Sequence, residues 1–249
     1  MKKLLIFALL YVAFAQTTSA QVKNIVLVHG AFADGSGWEN VYNILIKKGY
    51  NVSVVQEPLT SFEEDVATVD RILEKQDGPA ILVGHSYGGA VITQAGVSPK
   101  VAGLVYVAGF APDAGESALT LAMWAPAAPE NGILPPDAAG FLYYDKAKFH
   151  AGFCADLSKE KADFMYASQI PLSGKGFGTP LTQAAWKTKP TWAIVATEDK
   201  SINPEIERKG YKRANATVTE LKGSHVIFIS KPKEVAAVIE AAAKAVKKS

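Results

Sequence analysis

The sequence predicts an α/β protein: a mainly parallel six-stranded sheet with helices on both faces and a helical cap inserted late in the chain. Three observations predict it. Apolar runs rich in β-branched residues recur at 24–28, 51–56, 80–83, 101–107, 191–196 and 216–221. Helical patterns separate most of these runs, and such alternation calls for parallel strands covered by helices on both sides. Between residues 111 and 188 the alternation stops for longer than an ordinary loop allows, so this stretch is expected to form the cap.

The chain opens with Met1-Lys-Lys, an apolar stretch through Ala15, polar Gln16-Thr-Thr and small Ser19-Ala20. A basic start followed by an apolar core too short to span a bilayer comfortably reads as a signal peptide cut after Ala20. An uncleaved anchor is the alternative. The expected location is periplasmic or secreted, and residues 21–249 are expected to form one domain. Cys154 is the only cysteine, so no internal disulfide can form and the fold must stand on its apolar core. With 249 residues, 49% of them hydrophobic, the material for that core is present. The 26 basic and 24 acidic residues nearly balance without a block of like charge, which argues against nucleic acid as a partner.

The first strand, 24–28, runs into His29-Gly30 and the glycine-rich loop through Gly37, ahead of Trp38 and a helical pattern. Ser61-Phe-Glu-Glu64 fits a capping box that opens the helix before the third strand. That strand continues as Ile81-Leu-Val-Gly-His-Ser-Tyr-Gly-Gly-Ala90. Glycines two residues either side of Ser86 tolerate a turn too tight for side chains, leaving the serine hydroxyl exposed at the strand's C-terminal end as a candidate nucleophile. Negative charge developing beside it would meet backbone N–H groups: that of Tyr87, and across the cleft one just after His29-Gly30, assigned to Ala31.

A serine needs a base, and four histidines are available. His29 and His85 lie inside the two turns just described, where holding backbone is the expected role, and His150 falls in the cap as a structural residue. His225 follows the last strand and the turn Lys222-Gly-Ser, a position from which it can reach Ser86. The orienting acid should end the preceding strand, within Thr197-Glu-Asp-Lys-Ser. Asp199 is chosen, Glu198 is its rival, and Asp113 could serve a rearranged trio.

In the cap, helices are expected at residues 145–157 and 159–168, and a third from cap Thr179 through Trp186 with Pro180 at its start. Gly174-Lys-Gly-Phe-Gly178 reads as a flexible joint. Most cap aromatics should pack the cap onto the sheet; Phe32, Trp124, Phe153 and Trp186 are expected to bind substrate. Lys231-Pro-Lys-Glu opens the C-terminal helix. No histidine or cysteine pair has metal-ligand spacing, so neither metal nor cofactor is expected.

The order of strand, His-Gly loop, Gly-His-Ser-Tyr-Gly-Gly turn, late Asp and later His resembles the alpha/beta-hydrolase superfamily. Val28-His-Gly-Ala-Phe-Ala-Asp-Gly-Ser-Gly-Trp38, Pro58-Leu-Thr-Ser and Val105-Tyr-Val-Ala-Gly-Phe-Ala-Pro-Asp-Ala-Gly-Glu-Ser117 resemble small bacterial esterase-like hydrolases, similar in turn to plant methylesterases and hydroxynitrile lyases. The resemblance implies an alpha/beta-hydrolase fold and a serine hydrolase with Ser86, His225 and Asp199 as triad and Ala31 and Tyr87 as oxyanion donors. Lyases of this group carry threonine after the first-loop histidine and lysine after the last one; Gly30 and Val226 stand there instead, which disfavours cyanohydrin cleavage. The implied reaction is hydrolysis of a small, largely apolar carboxylic ester. Acyl transfer, perhydrolysis, lactone opening and a receptor with little turnover are alternatives.

Overall fold

The computed structural model describes residues 21–246; the expected signal peptide lies outside the described residues. The chain runs β1 (Asn24–Val28), a 3-10 turn (Gly35–Trp38), α1 (Glu39–Lys47), β2 (Asn51–Val54), α2 (Phe62–Glu74), β3 (Ala80–His85), α3 (Gly88–Ala95) and β4 (Val101–Val107). An insertion follows, with α4 (Ala118–Ala122), β5 (Phe141–Leu142), α5 (Lys146–Phe153), α6 (Lys159–Ala167), β6 (Leu172–Ser173), α7 (Gly174–Gly178) and a 3-10 turn (Ala185–Lys187). The chain then returns through β7 (Thr191–Ala196), α8 (Pro204–Arg213), β8 (Thr217–Leu221), α9 (Ile227–Ser230) and α10 (Pro232–Ala245).

Six strands form one sheet in the order β2-β1-β3-β4-β7-β8, every neighbouring pair parallel. Every residue of β1 and β3 is buried, so helices must cover both faces there, which is why these strands read as unbroken apolar runs. The outer strands β2 and β8 are part-exposed and alternate apolar with polar residues. After β1 the chain leaves toward β2 on one side and returns to β3 on the other. The C-terminal ends of β1 and β3 therefore flank the crevice where such sheets bind ligands.

The insertion adds no strand to this sheet; β5 and β6 pair antiparallel with each other, too briefly to leave a pattern in the sequence. The expected helices in its middle form, with Asp145 and Ser158 as N-caps. The helix expected from Thr179 through Trp186 does not. Leu181 donates its N–H to the carbonyl of Glu116 and accepts from Gly115, while the Gln94 side chain takes the N–H groups of Thr182 and Gln183. With its donors bound elsewhere, the segment stays extended until the short 3-10 turn at Ala185. Conversely, the expected flexible joint at Gly174–Gly178 is the short helix α7, with Ser173 Oγ accepting from the Gly176 N–H. Gly176 lies close against the start of α2: a Cβ there would stand 3.1 Å from the backbone N of Phe62, a tight contact.

Candidate active site

Ser86 sits between β3 and α3 with φ +54°, a left-handed conformation that side chains rarely adopt. Its neighbours make the turn possible: a Cβ on Gly84 would lie 2.5 Å from the Gly88 carbonyl oxygen, and one on Gly88 would lie 2.2 Å from that of His29. The Ser86 N–H donates to Val107 O at 3.2 Å, and its carbonyl accepts from Gly89 and Phe110. The turn is thereby fixed from both sides.

His225, on the turn after β8, brings Nε2 to 2.9 Å from Ser86 Oγ. Its Nδ1–H donates to Asp199 Oδ2 at 2.6 Å, which fixes the tautomer and leaves Nε2 free to accept the serine proton. Asp199, after β7, turns its other oxygen to the N–H groups of Ser201 and Ile202 at 2.7 and 2.9 Å, so the carboxylate is anchored on the side away from the imidazole. Glu198 instead lies at the surface, 3.4 Å from Lys222, and Asp113 pairs with Lys187 at 2.5 Å. Neither rival acid meets His225.

Ala31 and Tyr87 both line the cavity in front of Ser86, and neither backbone N–H has an acceptor among the described residues. The next residue differs: the Phe32 N–H donates to Ile170 O at 3.1 Å. His29 is buried, accepts the Glu57 N–H on Nε2 at 2.9 Å, and donates Nδ1–H to Gly30 O at 2.8 Å. That carbonyl belongs to the same peptide unit as the Ala31 N–H, so His29 orients and polarises it. His85 donates Nε2–H to the His225 carbonyl at 3.0 Å and packs its ring between His225 and Phe228. Burial keeps the pKa of both His29 and His85 below the usual imidazole range, so both stay neutral. His150 Nε2 donates to Leu157 O, the structural role expected of it.

The cavity is walled by Phe32, Phe110, Leu142, Tyr144, Phe153 and Phe177, with few polar atoms beyond those of the reacting groups. Phe32 and Phe153 are thus in place to contact a ligand. Trp124 and Trp186, expected beside them, are not. Trp124 faces Lys209 and Arg213, while Trp186 stacks with Arg213 and donates Nε1–H to Pro112 O; the cations of α8 hold both rings outside the cavity. Among the described residues no group of three or more His, Cys, Asp or Glu side chains is arranged to hold a metal ion.

Three carboxyl groups near the site escaped the sequence analysis; Asp65 and Glu207 are buried, and Asp156 is exposed. Asp65 accepts from Tyr87 Oη and from the Leu59 N–H. Glu207 accepts from the Ala196 N–H beneath Asp199, and burial, together with the Asp199 charge, holds its pKa well above the usual range. Asp156 of the insertion accepts from Ser224 N–H, Ser224 Oγ and Ser230 Oγ, the residues on either side of His225; desolvation opposes its ionisation, but these bonds outweigh it and lower its pKa. Their sequence neighbourhoods resemble ordinary helix caps and solvated faces, so no local signal marks them.

Residues 25–238 match the model of the alpha/beta hydrolase family. The chain is an alpha/beta hydrolase. Curated relatives are similar to it in sequence. A carbendazim-hydrolyzing esterase of Nocardioides sp. is 36% identical over 112 residues, 39% of this hydrolase and 46% of the relative. A pyrethroid hydrolase of Sphingobium wenxiniae is 27% identical over 257 residues, 88% of this hydrolase and 86% of the relative. Among solved structures, a pyrethroid hydrolase superposes with a TM-score of 0.79 at 26% identity, covering 90% of this hydrolase and 98% of that chain. Polyneuridine aldehyde esterase, at 19% identity and TM-score 0.74 over 88% of this hydrolase and 98% of that chain, shares the fold.

Proposed function

We propose that this alpha/beta hydrolase, a carboxylic ester hydrolase, acts on small, largely apolar esters through an acyl-enzyme formed on Ser86. The observation that carries the reading is the unbroken row from Ser86 Oγ through His225 to Asp199, opening into an apolar cavity beside two N–H groups that lack an acceptor. Ser86 Oγ attacks the ester carbonyl while His225 Nε2 takes its proton. The carbonyl oxygen gathers negative charge and meets the Ala31 and Tyr87 N–H groups, which are already oriented and need no reorganisation. The Asp199 carboxylate, hydrogen-bonded to Nδ1–H, stabilises the imidazolium. His225 then returns the proton to the departing alkoxide, and water, activated by the same imidazole, releases the acid.

The two relatives are a carbendazim-hydrolyzing esterase and a pyrethroid hydrolase, and the aromatic cavity walls support a preference for apolar groups here. A fluorophosphonate probe together with a panel of p-nitrophenyl esters tests the reading. Covalent labelling of Ser86 and loss of turnover by roughly 10⁴-fold or more in Ser86→Ala are expected. Saturable ligand binding with no labelling would replace the enzyme by a receptor.

Export is a further part of the proposal, supported by the basic, apolar and small-residue order of residues 1–20. N-terminal sequencing of the protein from a secreting host should begin at Gln21.

A further inference from the structure

Beside the catalytic cavity lies a shallow groove, formed by Phe32, Ala33, Asp34, Ser36 and Gly37 from the loop after β1, Lys161, Phe164, Met165 and Ser168 from α6 and its end, and Phe228 and Ile229 from α9. The linings of cavity and groove share one residue, Phe32. Phe32 therefore stands where the two meet.

Phe32 is held in place from two directions. Its φ of +59° is a strained conformation for a side-chain-bearing residue, kept by the N–H bond to Ile170 O of the insertion, and its ring stands edge-on to Tyr144 at 5.7 Å and Phe153 at 6.5 Å. It also follows Ala31 directly, one residue from the site where an ester's carbonyl oxygen would sit. An ester carbonyl carries two substituents that diverge in one plane. The cavity encloses one of them, and the other needs separate space beside the oxyanion loop.

We infer, on the basis of the ester-hydrolase reading, that the groove is a second subsite taking the longer apolar arm of an ester, with the Phe32 ring setting how long that arm can be. Phe32, Ala33, Met165, Phe228 and Ile229 supply an apolar channel. Asp34, Ser36, Lys161 and Ser168 supply polar groups among which the arm can reach water, and Phe164, 63% exposed, stands at the groove as an apolar contact facing solvent.

The test compares Phe32→Gly, which removes the ring and suits the left-handed backbone, with the unaltered protein. Two ester series are used: p-nitrophenyl esters from acetate to dodecanoate, and acetates of 4-alkylphenols of rising chain length. In one of the two series, the kcat/KM of the octyl-length member relative to the shortest should rise at least tenfold, since each methylene reaching the groove contributes roughly three- to fourfold. Adding Met165→Glu should then pull that ratio back toward the starting value. A parallel change at every chain length, or a raised ratio indifferent to Met165→Glu, overturns the inference. If Phe32→Gly does not fold, as judged by loss of its melting transition, Phe32→Leu supplies the same comparison with a smaller expected ratio. Failure of the ester-hydrolase reading looks different: the unaltered protein would turn over no member of either series.

Discussion

Tyr87 Oη donates to Asp65 Oδ2 at 2.9 Å, while Asp65 Oδ1 accepts from the N–H of Leu59, itself left-handed with φ +57°. The side chain of one proposed oxyanion residue is thus moored to a buried carboxyl. Burial raises the Asp65 pKa from 3.8 to about 6, against the opposing hydrogen bonds from Leu59 and Tyr87. A raised carboxyl pKa means that the folded state holds its proton where the unfolded state has lost it. Stability therefore falls as pH rises from about 4 to about 6 and keeps that penalty, on the order of 3 kcal/mol, above it. Asp65→Asn has no charge to bury. Its melting temperature relative to the unaltered protein should rise between pH 4.5 and about 6.5 and level off toward pH 8 in calorimetry, and a drift the other way would contradict a carboxyl that resists ionisation.

His29 touches no substrate, yet it holds the peptide that presents the Ala31 N–H. Deleting an oxyanion donor costs roughly 10²–10³ in kcat, and loosening one costs less. His29→Gln should lower kcat about ten- to a hundredfold with KM within about twofold. Steady-state kinetics on a short p-nitrophenyl ester decides: a raised KM with kcat retained would reduce His29 to packing.

Only one of three candidate acids meets His225. Asp199→Asn should depress kcat by about 10³–10⁴, because the amide disturbs the imidazole tautomer. Glu198→Gln and Asp113→Asn should stay within about threefold, as expected for exposed pairs with Lys222 and Lys187. Comparable losses in all three would count against Asp199.

Glu207 lies buried beneath Asp199 and is kept protonated by burial and by that charge. Glu207→Gln preserves an acceptor for the Ala196 N–H and should fold and turn over normally. Glu207→Leu strands that N–H and should cost about 1–3 kcal/mol in urea unfolding.

The sheet was legible because buried parallel strands must be apolar on both faces, and β1, β4 and β7 begin and end where their runs do. Ser86, Asp199 and His225 were legible for a related reason. Each sits at the end of such a strand, in an order that narrows the choice to a few residues. What stayed hidden depends on partners distant in sequence. Thr179-Pro180 is a sound local helix start, overruled by Gln94 from α3. Glycines at 174, 176 and 178 discourage a helix, yet the Ser173 cap and the close approach to α2 produce one. Trp124 and Trp186 are large aromatics in the right stretch, claimed by cations on α8 that no local pattern reveals.

Asp156 belongs to the insertion, but its hydrogen bonds end on Ser224 and Ser230, which bracket His225. The roof of the cavity and the turn that carries the imidazole are therefore tied together through Asp156, and Phe153 of the roof meets the imidazole directly, ring centroids 5.0 Å apart. A guest pressing on that roof would therefore bear on the base from two sides, through a carboxylate that anchors its turn and through an aromatic ring that touches it.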